Sequence, residues 1–164
     1  MPSQGWKLLL VASPRSRRES RWREDLIKLA QSSGIEASLR WRERLSPADV
    51  SRHLGASDVG VLPFDEGLTT RRSSFAVMMA HGLPLVSTSP RIPPRIFGET
   101  SPALLVPPRR PRELAHALRT LLGQGRERTE LARRSWAFAE RLSWEEIARG
   151  TEDLYRLAIS RRGP

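Results

Sequence analysis

The stretch Asp58-Val-Gly-Val-Leu-Pro-Phe-Asp-Glu-Gly-Leu-Thr-Thr-Arg-Arg-Ser-Ser-Phe-Ala-Val-Met-Met-Ala-His-Gly-Leu-Pro-Leu-Val-Ser-Thr88 decides the fold. Val59 to Leu62 is a short apolar run of the buried-strand type, and Pro63 ends it. Phe64 to Arg72 is polar, carries Gly67 and reads as a loop. Ser73 or Ser74 is suited to cap a helix. Phe75 to His81 continues as that helix, and Gly82 stands where a helix-ending glycine belongs. Leu83 to Ser87 is the next strand. One such strand–helix–strand unit implies parallel strands joined by a right-handed crossover.

The chemistry of this stretch lies at the helix start. Arg71 and Arg72 directly precede Ser73 and Ser74. Unpaired backbone N–H groups, the positive end of the helix dipole, two hydroxyls and two guanidiniums converge there. Such a place attracts an anion, phosphate above all. Ligands of open α/β sheets sit at the carboxyl ends of the strands, where this loop lies. The plainer reading of the same residues is a solvated arginine pair and a simple serine cap.

The rest of the chain repeats the pattern. Lys7 to Ala12 reads as a strand, and Glu19 to Gln31 as a helix closed by Gly34. Between them Ser13 to Arg18 is a turn rich in donors, where Arg15 offers a phosphate contact or merely a solvated surface. Ala37 to Trp41 is a second strand by its alternation. Ser46 and Pro47 open a short helix from Ala48 to Leu54. Four prolines from Ser89 to Pro102 make an irregular loop, where Arg91 and Arg95 face solvent or, as the lesser alternative, a ligand. Ala103 to Val106 is the last strand. Helices follow at Pro111–Leu122, at Glu127–Leu142 and after Ser143, where Glu146 completes a capping box. Trp144, Ile147, Thr151, Leu154, Tyr155 and Ala158 form the stripe of the last helix.

Composition narrows the function. A length of 164 residues suits one domain. The absence of cysteine excludes disulfides and thiolate metal sites. His53, His81 and His116 have no ligand spacing, so no metal is expected. No apolar run approaches the roughly 20 residues of a membrane span, and no secretory leader is evident. A cytoplasmic protein is expected. The net charge is +10, and all but Lys7 and Lys28 of the 28 basic residues are arginine. These arginines are dispersed and interleaved with glutamates, which argues against nucleic acid as partner. Weak attraction to acidic membrane surfaces is compatible with the charge.

The run from Ala56 to Thr88 resembles the donor-site segment of family 4 (group 1) glycosyltransferases of the GT-B fold. Leu104 to Pro111 and Phe138 to Tyr155 extend the likeness, which covers about Leu8 to Tyr155. The resemblance implies an α/β, three-layer Rossmann-like domain with an open parallel sheet, helices on both faces and a helical C-terminus. It implies binding of a nucleoside diphosphate sugar and glycosyl transfer with retention, without metal or other cofactor. Carried over, Glu66 orients the sugar as the catalytic residue and Gly67 lets it approach. Arg71, Arg72, Ser73 and Ser74 hold the diphosphate, and Arg15, which the family pattern does not supply, is a further candidate contact from its own place in the turn.

The chain also departs from the family pattern. Val77 stands where many members carry a ribose-binding glutamate. The turn after Ala12 lacks the usual glycines. Arg109 and Arg110 occupy a loop that often holds an acidic residue. Residues 1–164 correspond to the donor-binding domain, without the acceptor domain and without the family's usual first strand. An acceptor-binding domain or subunit is therefore an expected partner, with room for a homo-oligomer. A sheet lacking that strand should leave an unpaired edge, covered by the N-terminal residues, by a second copy or by the absent domain. Two other readings stay open: a non-catalytic, degenerate interaction module, and a basic domain that binds anions or nucleic acid.

Overall fold

The computed structural model of the chain describes residues 5–14, 16–98 and 101–160. It divides into two compact units, Met1–Arg52 and His53–Pro164. The expected α/β class holds, with every strand pair parallel. Pairing falls into two ladders, one in each unit.

In the first unit β1 (Leu8–Val11) pairs with β2 (Leu39–Arg42), from Leu8 against Leu39 to Val11 against Arg42. The crossover is α1 (Arg17–Ser32), which begins earlier than expected because Ser16 is its cap and accepts from the Glu19 N–H. Trp41 is anchored by its indole N–H, which donates to the Ala12 carbonyl at 3.1 Å. Trp22 meets Trp41 edge-on, with centroids 6.1 Å apart. The Arg23 guanidinium lies 5.3 Å over the Trp41 ring. Arg23 Nε is 3.0 Å from Glu43 Oε1, an ion pair without hydrogen-bond alignment. This aromatic and cationic cluster stands beside a thin core, since among the described residues of the unit Ala30 is the one buried apolar side chain.

The all-apolar β1 departs from its sequence reading. Both of its ends, Leu8 and Val11, are exposed. Strands that are apolar throughout are normally covered on both faces. Among the described residues β1 has β2 as its one ladder neighbour.

α2 (Pro47–Gly55) leads into the second unit. As expected, the Ser46 hydroxyl accepts from the Asp49 N–H at its start. The strands that follow are β3 (Gly60–Leu62), β4 (Leu85–Thr88) and β5 (Leu104–Val106), in the spatial order β3-β4-β5. α3 (Ser73–Ala80) joins the first two. After β5 come α4 (Pro111–Gly123), α5 (Gly125–Glu140) and α6 (Trp144–Ser160).

β4 is buried along its whole length. Alternation of side chains across a strand explains how both faces are filled. Leu85 joins Phe75 and Met79 of α3 and Phe138 of α5 on one face. Val86 joins Ala117 and Leu121 of α4 and Leu131 of α5 on the other. Phe75, Phe97 and Phe138 form a triad with centroids 5.5 to 5.9 Å apart. The expected helices on both faces of a parallel sheet are present here.

One sequence expectation needs correction. Arg72, not Ser73 or Ser74, is the N-cap of α3, because its backbone is extended (φ −83°, ψ 114°) while both serines are already helical. The stripe of α6 is in place, yet no residue of that helix is buried. Trp144 and Tyr155 are 81% and 68% exposed and lie outside the core of this chain. Trp136 is also exposed, although its ring lies against Gly82. The close of α3 is as expected. Gly82 takes φ 60°, its N–H donates to Met79 and that of Leu83 to Met78. This crossed pair satisfies carbonyls that the helix end leaves open.

Candidate functional site

The loop from Pro63 to Arg72 leaves the carboxyl end of β3 and is stapled to β4. The Ser87 hydroxyl donates to the Leu62 carbonyl at 2.6 Å, and the Thr88 hydroxyl to the Phe64 carbonyl at 2.5 Å. The Leu68 N–H returns to the Thr88 carbonyl at 2.8 Å. Leu68 itself is fully buried. These polar atoms inside the sheet keep the loop tight, and its tip, Asp65 and Glu66, stands in solvent.

Gly67 has a local reason to be glycine. Its φ is 82°, and a Cβ there would meet the Pro90 Cα at 2.3 Å. The residue is buried, and the backbone of Ser89 and Pro90 occupies the space beside it. Close packing of two loops thus accounts for the glycine without any ligand.

Arg72 closes the loop. Its guanidinium lies 4.6 Å from the Phe64 ring centroid, and its Nη2 is 3.5 Å from Glu66 Oε2. Its carbonyl accepts the N–H groups of Phe75 and Ala76, the first two taken within α3. The N–H groups of Ser73 and Ser74 belong to the turn that a helix leaves without internal partners. Arg71, Arg72, Ser73 and Ser74 are all exposed, so the turn is not plugged by its own side chains. The structure therefore brings Glu66, Arg72, Ser73 and Ser74 together at the strand tips, with Arg71 adjacent in the chain. Arg15 lies outside the described residues.

An ion pair as exposed as Glu66–Arg72 is worth at most about 1 kcal/mol. It is easily exchanged. An anion placed at this turn would meet Arg72, the helix N-terminus and two hydroxyls.

Sequence reasoning missed two participants. Phe64 is the platform on which Arg72 rests, and nothing in its local pattern distinguished it from a strand-end hydrophobe. Asp65 meets Arg109 Nε at 3.6 Å, across two loops distant in sequence. Beside them is a cavity of about 180 Å³, walled by Phe64, Thr88, Val106, Pro107 and Leu114 with Arg109 and Arg110. Arg109 and Arg110 had stood out only as a basic loop.

A parallel α/β unit with helices on both faces and an open turn at its strand tips is the architecture of one half of a GT-B glycosyltransferase. The chain belongs to the glycosyl transferases group 1 family, whose model matches residues 2–124. It is 26% identical, over 99% of its length, to D-inositol 3-phosphate glycosyltransferase of Corynebacterium kroppenstedtii. It spans 35% of that relative. Sucrose-phosphate synthase from Thermosynechococcus elongatus superposes with a TM-score of 0.75 at 22% identity, covering 94% of this chain and 39% of that one. The Anabaena protein HepE, solved in complex with UDP, gives 0.71 at 15% identity over 93% of this chain and 41% of its own. The C-terminal domain of a group 1 glycosyl transferase from Francisella tularensis gives 0.65 at 15% identity, over 76% of this chain and 64% of that domain. At these identities the superpositions speak to fold alone.

Among the described residues no helix is long and apolar enough to cross a membrane.

Proposed function

We propose that this chain is the donor-binding half of a group 1 glycosyltransferase and holds a nucleoside diphosphate sugar at the head of α3. The observation that carries the reading is the exposed turn Arg71–Ser74, with the Arg72 guanidinium 3.5 Å from Glu66. In this reading Arg71, Arg72, Ser73 and Ser74 bind the diphosphate. As the glycosidic bond to the donor breaks, charge grows on the departing diphosphate. Preplaced guanidiniums and the dipole of α3 stabilise that charge. Arg15 is assigned as a further phosphate contact on its sequence position. Glu66, released from Arg72 by the phosphate, takes the sugar hydroxyls and orients the reacting carbon. Transfer proceeds with retention and without metal or cofactor.

The acceptor comes from a second domain or subunit. The relatives support this, because the chain spans only 35% and 39% of two of them. The uncovered apolar stripe of α6 supports it as well. The isolated chain then binds donor without turnover.

Calorimetric titration of the chain with UDP, GDP and ADP sugars tests the proposal. One of them should bind saturably, and Arg72→Ala should weaken it about tenfold, the worth of one charge-assisted hydrogen bond. Binding of none, or binding that Arg72→Ala leaves intact, rejects the site. A second reading, a non-catalytic interaction module, draws on Val77. That residue is 39% exposed on α3 and offers no polar group for a ribose. Absence of nucleotide binding together with a tight protein partner in pull-down favours it.

A further inference from the structure

We infer that the cavity beside the Glu66 loop binds an anionic substituent, a carboxylate or a phosphate, carried on the sugar ring of the ligand. The inference rests on the proposed sugar-binding role of this face and names the chemistry of the sugar. The cavity lies at the carboxyl ends of all three strands of the second unit. Pro63 follows β3, Thr88 ends β4 and Val106 ends β5, and each contributes to its wall. At about 180 Å³ it is smaller than the roughly 300 Å³ at which sites for whole small molecules begin. It therefore takes one ring or one head group, not an entire nucleotide sugar.

Its charge selects which group. Arg109 and Arg110 face one carboxylate, Asp65, so the cavity keeps an excess positive charge. The Asp65–Arg109 pair is 3.6 Å apart, and its side chains are 73% and 78% exposed. A pair of this kind holds weakly and yields to a better anion. Arg110 is fixed as the N-cap of α4, its carbonyl accepting from Glu113 and Leu114 at 3.1 Å each. Pro107, Pro108 and Pro111 fix the backbone from which both arginines project. Pro111 removes the first N–H of α4 and the Arg110 carbonyl takes those of Glu113 and Leu114, so the guanidiniums carry most of the attraction. Two planar forks match a carboxylate or a phosphate. The apolar wall of Val106, Pro107 and Leu114 suits the carbon face of a pyranose.

Phe64 sets the distance to the α3 turn. Arg72 lies over its ring, and the same side chain lines the cavity. A ligand held at both places has its diphosphate at Ser73 and Ser74, its ring at Glu66 and its anionic substituent between Arg109 and Arg110.

Ligand-observed NMR titrations of the purified chain with glucose, glucuronate, glucose 6-phosphate and inorganic phosphate decide the matter. We expect glucuronate or glucose 6-phosphate to bind at least tenfold tighter than glucose and than inorganic phosphate. The double variant Arg109→Ala/Arg110→Ala should abolish that preference, while Arg126→Ala, an exposed arginine of α5 outside the cavity wall, preserves it. The stronger of the two anionic sugars identifies the substituent. Equal binding of glucose, or a preference that survives the double variant, overturns the inference. Nucleotide calorimetry on the same samples separates the two failures. Nucleotide binding without a preference for anionic sugars sinks this inference alone. An Arg109- and Arg110-dependent preference without nucleotide binding sinks the nucleotide-sugar reading and leaves the anionic subsite standing. Circular dichroism of the double variant verifies that it folds, as two exposed positions should allow.

Discussion

Gly67 and Gly82 share a left-handed backbone, yet their surroundings differ. A Cβ on Gly67 meets the Pro90 backbone, which cannot give way. Gly67→Ala should therefore cost at least about 2 kcal/mol in urea unfolding, from strain and displacement together. A Cβ on Gly82 meets the Trp136 indole, a side chain that is 55% exposed and free to swing outward. Gly82→Ala should cost about 1–2 kcal/mol, the backbone term by itself. Glu130 supplies a residue-scale test against pH. Hydrogen bonds from Arg133 and Arg134 outweigh the small opposing effect of desolvation and lower its pKa from 4.5 to about 2. A carboxylate with a depressed folded pKa stabilises above its unfolded pKa and loses that contribution as pH falls through the folded one. The difference in urea midpoint between the wild type and Glu130→Gln should be constant above about pH 5 and shrink toward pH 2. The side chain is 43% exposed and screened by solvent, so the difference will be small. A midpoint difference that grows on acidification would contradict the pairing.

At the scale of the element, α5 and α6 are near equals in length and opposites in burial. α5 buries Leu131, Ser135 and Phe138. The Ser135 hydroxyl donates to the Leu83 carbonyl at 3.0 Å, tying the helix to the entry of β4. Phe138→Ala removes one ring of the aromatic triad and should cost about 3–5 kcal/mol. α6 buries nothing. Leu154→Ser on its apolar stripe should change the stability of this chain by no more than about 0.5 kcal/mol. A large loss would mean that the stripe is covered in solution. The amphipathic pattern of α6 is as clear in sequence as that of α4. Periodicity reports that a face is apolar, whereas burial depends on what lies opposite. The head of α3 shows a similar limit. Ser73 and Ser74 have the right chemistry for a cap, but the loop staples at Thr88 set the entry so that Arg72 takes the extended position.

For the whole molecule, the burial is uneven. The second unit holds two apolar clusters around β4, whereas the first buries Ala30 and Ser38. Hydrogen exchange should find the slowest amides in β4. Those of β1 should exchange orders of magnitude faster, because opening free energies follow local burial. Equal protection in both strands would show that β1 is covered in solution.

The sequence by itself determined the order of strands and helices, the parallel class and the family. Alternation, helical period, prolines and terminal glycines are local signals, and the Asp58–Thr88 stretch contains all of them. It also marked Glu66 and Arg71 to Ser74, since these lie within nine residues of one another. Tertiary structure alone decided that Phe64 carries Arg72, that Pro90 is the reason for Gly67, and that Asp65 meets Arg109. It also decided which apolar faces find a neighbour. These contacts join loops distant in sequence, or depend on how tightly β4 draws the loop down. No local pattern encodes a distance that only chain folding creates.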